Sequence, residues 1–292
     1  MRTRTELSEL CTIVLVLAGY SASPAAADDS VSVPVDPGTL ARQGDLDATA
    51  CGPISVVNAL ALGDAACRRA LADLRGDSNV RRAEDLLERF ASRPSRDYGE
   101  GTRRRRDGIS CADLADLLGE AVAQSGLKAT GQFLDRRPNE ADGAYLRRVH
   151  GLLSQALRER RPPIVSLRSF AVAADPKFPD GYSWNGVLNH FVVVTRVPAK
   201  LADHEWGFTF EFVDPQTART ESAYVYLERE RPFVAAKGND SKYEWKDGSP
   251  FLLVTAPTLP LATNRQTWWS RTIITLNYAI TLQTLDEPAK KP

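Results

Sequence analysis

The sequence predicts an α+β fold, with a helical N-terminal half packed on an antiparallel β-sheet drawn from the C-terminal half. Three observations lead there. Up to about residue 160 apolar residues recur at helical spacing, as in "CADLADLLGEAV". From residue 162 onward β-branched and aromatic runs bounded by Pro, Gly and Asp take over, as in "NHFVVVTRV" and "WGFTFEFVDP". The two kinds of segment do not alternate, so the βαβ units of a parallel sheet are not expected.

Residues 1–27 begin weakly basic ("MRTR"), continue through the short apolar core "LCTIVLVLAG", and end in small residues with Ala25-Ala26-Ala27 as a cleavage site. This is the architecture of a secretory signal peptide, and the apolar run is too short for a permanent membrane helix. Cleavage after Ala27 is expected, giving a secreted or periplasmic chain with no membrane anchor. Residues 28–40 read as an extended, poorly ordered start. The folded domain is expected over 41–285, and 286–292 ("DEPAKKP") as a disordered tail.

Within the domain, helices are expected over 52–63, 65–74, 80–91, from Ala112 onward with Ser110 as N-cap, and over 144–160. The Arg- and Gly-rich stretch 93–108, which includes "RRRR" at Arg103–Arg106, reads as a solvated surface loop. Strands are expected over 162–170, 189–197, 206–215, 223–230, 250–257 and 271–285.

Lys+Arg and Asp+Glu both number 37 in 292 residues, so nothing global favours a nucleic-acid partner or an anionic membrane. Three scattered histidines, without the spacing of a metal site, and the lack of a phosphate-cradling Gly-rich loop lead to the expectation of no metal and no cofactor.

Three residues carry the candidate chemistry. Cys51 opens the helix of "DATACGPISVVNAL", where the positive end of a helix favours a thiolate. His190 opens a buried strand, and Asp214 ends the next one. If those strands are antiparallel neighbours, the start of one lies near the end of the other. A nucleophile, a base and a group that orients the base would then meet. Each residue also has a plainer reading: Cys51 as a core thiol or half of a disulfide, His190 as a core histidine, Asp214 as a turn former before Pro215. His150 and His204 are expected to be structural or exposed.

"CGPISVVNAL", "DGISCADLADLL", "NHFVVV" and "FVDP" together resemble the papain-like cysteine peptidases, most of all their C39-like domains, over roughly residues 41–216. Phytochelatin synthases, related in fold, share a Cys-Gly start leading into "VNAL". The resemblance implies Cys51 as nucleophile, His190 as general base and acid, and Asp214 as orienting residue. It implies a thiol hydrolase that cleaves peptide or amide bonds through an acyl-enzyme. A γ-glutamyl or acyl transferase, and a non-catalytic domain binding a peptide or cell-wall ligand, are the alternatives. The family usually places an oxyanion-binding Gln about six residues before the cysteine. That position is Asp45 here, and a two-residue bulge is needed for Gln43 to serve instead.

Loss of the signal peptide removes Cys11 and leaves Cys51, Cys67 and Cys111. With Cys51 required free for catalysis, Cys67 and Cys111 are the expected disulfide pair in an oxidising compartment, with three reduced, buried cysteines as the alternative.

Overall fold

A computed structural model of the protein describes residues 29–99, 101–174, 182–227, 251–259 and 270–285. The expected signal peptide, the expected tail and the end of the expected strand 223–230 lie outside these residues.

Five α-helices lie in the first half of the described chain: α1 (Cys51–Leu62), α2 (Ala65–Ala72), α3 (Asn79–Phe90), α4 (Cys111–Val122) and α5 (Asp142–Arg158). Three start on side-chain caps. Asp64 accepts from Cys67 N (2.9 Å), Ser78 from Arg81 N (3.3 Å) and Ser110 from Asp113 N (3.1 Å). The short side chains of these caps satisfy amide groups that the first helical turn leaves unpaired. In α1 every residue from Gly52 to Leu60 is buried, as befits a central helix. By contrast, α3 is two-faced and turns Ala83, Leu86, Leu87 and Phe90 inward.

The strands are β1 (Ser30–Ser32), β2 (Arg104–Arg105), β3 (Gly108–Ile109), β4 (Leu127–Phe133), β5 (Ile164–Ala174), β6 (Tyr182–Pro198), β7 (Gly207–Asp214), β8 (Arg219–Tyr226), β9 (Leu252–Thr255) and β10 (Ser270–Thr284). All their pairings are antiparallel. Among the described residues the order β6-β5-β10-β9-β8-β7 returns to β6 through the β6–β7 pairing, so these strands close a ring. Closure leaves the ring with no open edge where its strands pair. The alternation expected of a half-buried strand is clear in β7, where Phe208, Phe210 and Phe212 are buried and Thr209 is exposed.

Four expectations need correction. The start at 28–40 is not loose throughout: β1 pairs with the end of β6, Val31 opposite Val197, and Val33 N donates to Thr195 O at 2.9 Å. The stretch 93–108 is not only loop. It carries the β2–β3 hairpin, and Arg103 is buried against Glu120 through two bonds of 2.9 and 3.1 Å. Strand β4 was not anticipated and adds to β10, with Thr130 opposite Thr281.

The fourth correction concerns the disulfide, because Cys67 and Cys111 are both free thiols. Cys67 packs into the bend at Gly63, where an added glycine Cβ would stand 2.7 Å from its sulfur. The sulfur of Cys111 instead lies 3.6 Å from Asn189 Nδ2 on β6. The two thiols are fixed against different elements, which is why no bond joins them.

Candidate active site

Cys51 is the first residue of α1, and Ala50 before it supplies no side-chain cap. The thiol therefore sits at the open, positive end of the helix. Gly52 and Pro53 fit this start. A Cβ on Gly52 would meet both Leu114 methyl groups at 3.2 Å and the Phe191 ring at 3.4 Å, so α4 and β6 close tightly around the helix beginning. Pro53 lacks an N–H that the first turn would not use in any case.

His190 lies on β6, 5% exposed, and Asp214 at the end of β7, 1% exposed. The two strands are antiparallel neighbours, in register at Val193 and Val213. His190 Nε2 donates to Asp214 Oδ1 at 2.8 Å. The Cys51 thiol acts on the same ring and favours its protonated form. With Nε2 engaged by the carboxylate, Nδ1 is the nitrogen left for the sulfur.

The electrostatics follow from this bridge. Burial by itself would lower the His190 pKa, because it penalises the charged ring. The bonds to Asp214 and Cys51 and their negative charge more than offset it, and the ring is held up at about 9.

The turn after β7 holds the carboxylate still. Asp214 Oδ1 also accepts from Gln216 N at 2.9 Å, and Oδ2 from Thr217 Oγ1 at 3.5 Å. Its main-chain carbonyl accepts from Ala218 N at 2.8 Å, with Ala218 at φ 54. Asp214 is therefore both turn former and histidine partner; the two readings of its sequence context coexist.

A 3-10 turn over Gln43–Asp45 turns Asp45 to solvent and Gln43 inward. Gln43 N donates to Pro215 O at 2.7 Å, next to Asp214. Its side-chain Nε2 donates to Ala48 O at 3.0 Å, and Oε1 is buried without a partner. One of the two Nε2 hydrogens thus remains available. Arg104 of the hairpin bonds Asp47, whose Oδ1 accepts from Thr49 N at 2.6 Å, so the arginine run steadies the segment entering Cys51.

Cys67 stands apart from this site. Burial first, then the neighbouring Asp64 charge, pushes its thiol up to about 12. Burial also raises the pKa of Cys111. His150 is structural, its Nε2 2.8 Å from Pro198 O and its ring edge-on to Phe208, while His204 is exposed. Among the described residues no group of three or more His, Cys, Asp or Glu is placed to hold a metal ion.

Sequence reasoning passed over two buried polar residues on α1, Ser55 and Asn58. Their signal was present: at four and seven positions after Cys51 they continue its helix face through an otherwise apolar segment. Ser55 Oγ donates to Phe191 O at 2.9 Å, and Asn58 bonds the backbone of Ala41.

Comparisons with family models, with curated proteins and with solved structures gave no match.

Proposed function

We propose that the protein is a papain-like thiol hydrolase that cleaves peptide or amide bonds, exported by way of its N-terminal segment. The observation that carries the reading is the buried His190 ring, whose Nε2 donates to Asp214 while Cys51, at a helix start, acts on the same ring. A ring placed so can hold a thiolate, and can give a proton to a leaving group without moving.

In this reading the Cys51 sulfur attacks the carbonyl carbon, and the carbonyl oxygen gains negative charge. The Cys51 N–H, unused by the helix, and the remaining Gln43 Nε2 hydrogen are the donors for that oxygen. As the C–N bond breaks, His190 Nδ1 gives its proton to the departing amine, leaving a thioester on Cys51. The neutral ring then takes a proton from water. The hydroxide formed attacks the thioester, and the released thiolate regains its imidazolium partner. Asp214 keeps the ring oriented throughout. Transfer to an amine in place of water would use the same thioester, and makes the acyl-transferase alternative a matter of the acceptor.

The test is turnover of a fluorogenic peptide-amide library, with and without an added amine acceptor, analysed by mass spectrometry. Hydrolysis that is lost in both Cys51→Ala and His190→Ala supports the reading. Products carrying the added amine shift it to a transferase. No turnover, together with no labelling of Cys51 by an epoxide or vinyl-sulfone probe, favours a non-catalytic binding domain.

A further inference from the structure

Asn58 is 0% exposed and lies two turns along α1 from Cys51. A buried amide on an apolar helix is costly unless both its ends are bonded. Here one residue satisfies both: Oδ1 accepts from Ala41 N at 2.8 Å, and Nδ2 donates to Ala41 O at 3.1 Å. Ala41 is thereby held against the helix, itself 4% exposed.

Two residues further on, Gln43 N donates to Pro215 O at 2.7 Å. Pro215 follows Asp214, whose carboxylate meets His190, whose ring meets Cys51. The path returns to α1, where it began. The segment 41–50 is thus fixed to α1 at both ends, by Asn58 and by the chain entering Cys51. In between it holds the Asp-Pro turn.

We infer that Asn58 is a positioning residue: through the Ala41–Gln43 segment it sets the place of the Asp214 turn, and so the orientation of the His190 ring toward Cys51. The amide touches no reacting atom. It closes a ring of contacts in which the helix carrying the thiol also anchors the strand end carrying the carboxylate. Removing it leaves the Gln43–Pro215 bond without its anchor on α1, so the turn is held by a segment no longer tied to the helix.

This inference rests on the triad reading above, and the experiment separates the two. The readout is the rate at which iodoacetamide alkylates Cys51 as a function of pH. That rate reports the charge on His190, on which Asp214 from β7 and Cys51 from α1 act. Folded wild-type protein should show a limb near pH 9. Asn58→Ala should move that limb down by about one unit. Near-ultraviolet circular dichroism should show it still folded. Where Asn58→Ala does not fold, Asn58→Leu carries the same test, because it removes both bonds to Ala41 and keeps nearly the same volume.

Asp214→Asn is the reference. A folded Asn58 variant with the wild-type profile, while Asp214→Asn alters it, overturns the role of Asn58 and leaves the triad standing. A wild-type profile in Asp214→Asn overturns the triad and this inference with it.

Discussion

Ser55 Oγ donates to the Phe191 carbonyl at 2.9 Å, which stitches α1 to β6 one residue beyond His190. Both residues are buried, so the bond is made out of water. It fixes the helix that carries the thiol against the strand that carries the base. Ser55→Ala should cost about 1–2 kcal/mol, the usual result of removing one partner of a buried hydrogen bond. Chemical denaturation measures it. The same variant should retain the fold, since only one oxygen is lost.

Asp214→Asn should change how stability depends on pH. The His190 pKa is raised from 6.5 to about 9 in the folded protein, with Asp214 the first of the groups that raise it. A raised histidine stabilises the fold fully below its unfolded pKa, and that contribution fades as pH climbs through the folded value. The wild type should therefore exceed Asp214→Asn most near pH 6, by less than the roughly 3 kcal/mol of the whole shift, which Asp214 shares with Cys51. The gap should narrow between 6.5 and about 9. Urea denaturation at a series of pH values reads it. A gap that widens over that window contradicts the assignment.

A peptide map of non-reduced protein should contain Cys67 and Cys111 as separate free thiols. Cys67 should resist alkylation until the protein unfolds, because it is fully buried and its thiol is pushed up to about 12. A Cys67–Cys111 linked peptide would restore the pairing read from the sequence.

Gly131→Ala should destabilise the protein by about 1–3 kcal/mol, as overpacking does. An added Cβ would overlap the Tyr278 hydroxyl and stand 2.7 Å from Ala115 Cβ. Thermal unfolding of the variant is the check.

That same glycine shows why part of the fold was hidden in the sequence. Strand β4 reads "LKATGQF", with no run of β-branched residues and a glycine in its middle. Its place comes from β10 and from the Tyr278 side chain lying over Gly131, both remote in sequence. β1 was masked in the same way by Pro34 and Pro37 and owes its form to the end of β6. The helices were legible in their apolar spacing, and Ser110 is a local start signal that acts through a local bond. The strand 206–215 was legible because its aromatic alternation directly reflects one buried face.

The site divides similarly. The neighbourhood of His190 and Asp214 followed from two adjacent strands running antiparallel, which pattern alone suggested. The free state of Cys67 and Cys111 did not, because counting cysteines carries no information on which elements their sulfurs face. Nor did the inward turn of Gln43, which depends on the Pro215 carbonyl on the far side of the site.

The bridge from Cys51 through His190 to Asp214 is the centre of the account, and one measurement addresses it most directly. Wild type and His190→Ala are treated with iodoacetamide at about pH 6, and each cysteine is followed by mass spectrometry. The account predicts that Cys51 of the wild type labels well ahead of Cys67 and Cys111, and that His190→Ala slows Cys51 by at least about tenfold while remaining folded. Equal labelling of Cys51 in the two proteins would contradict it.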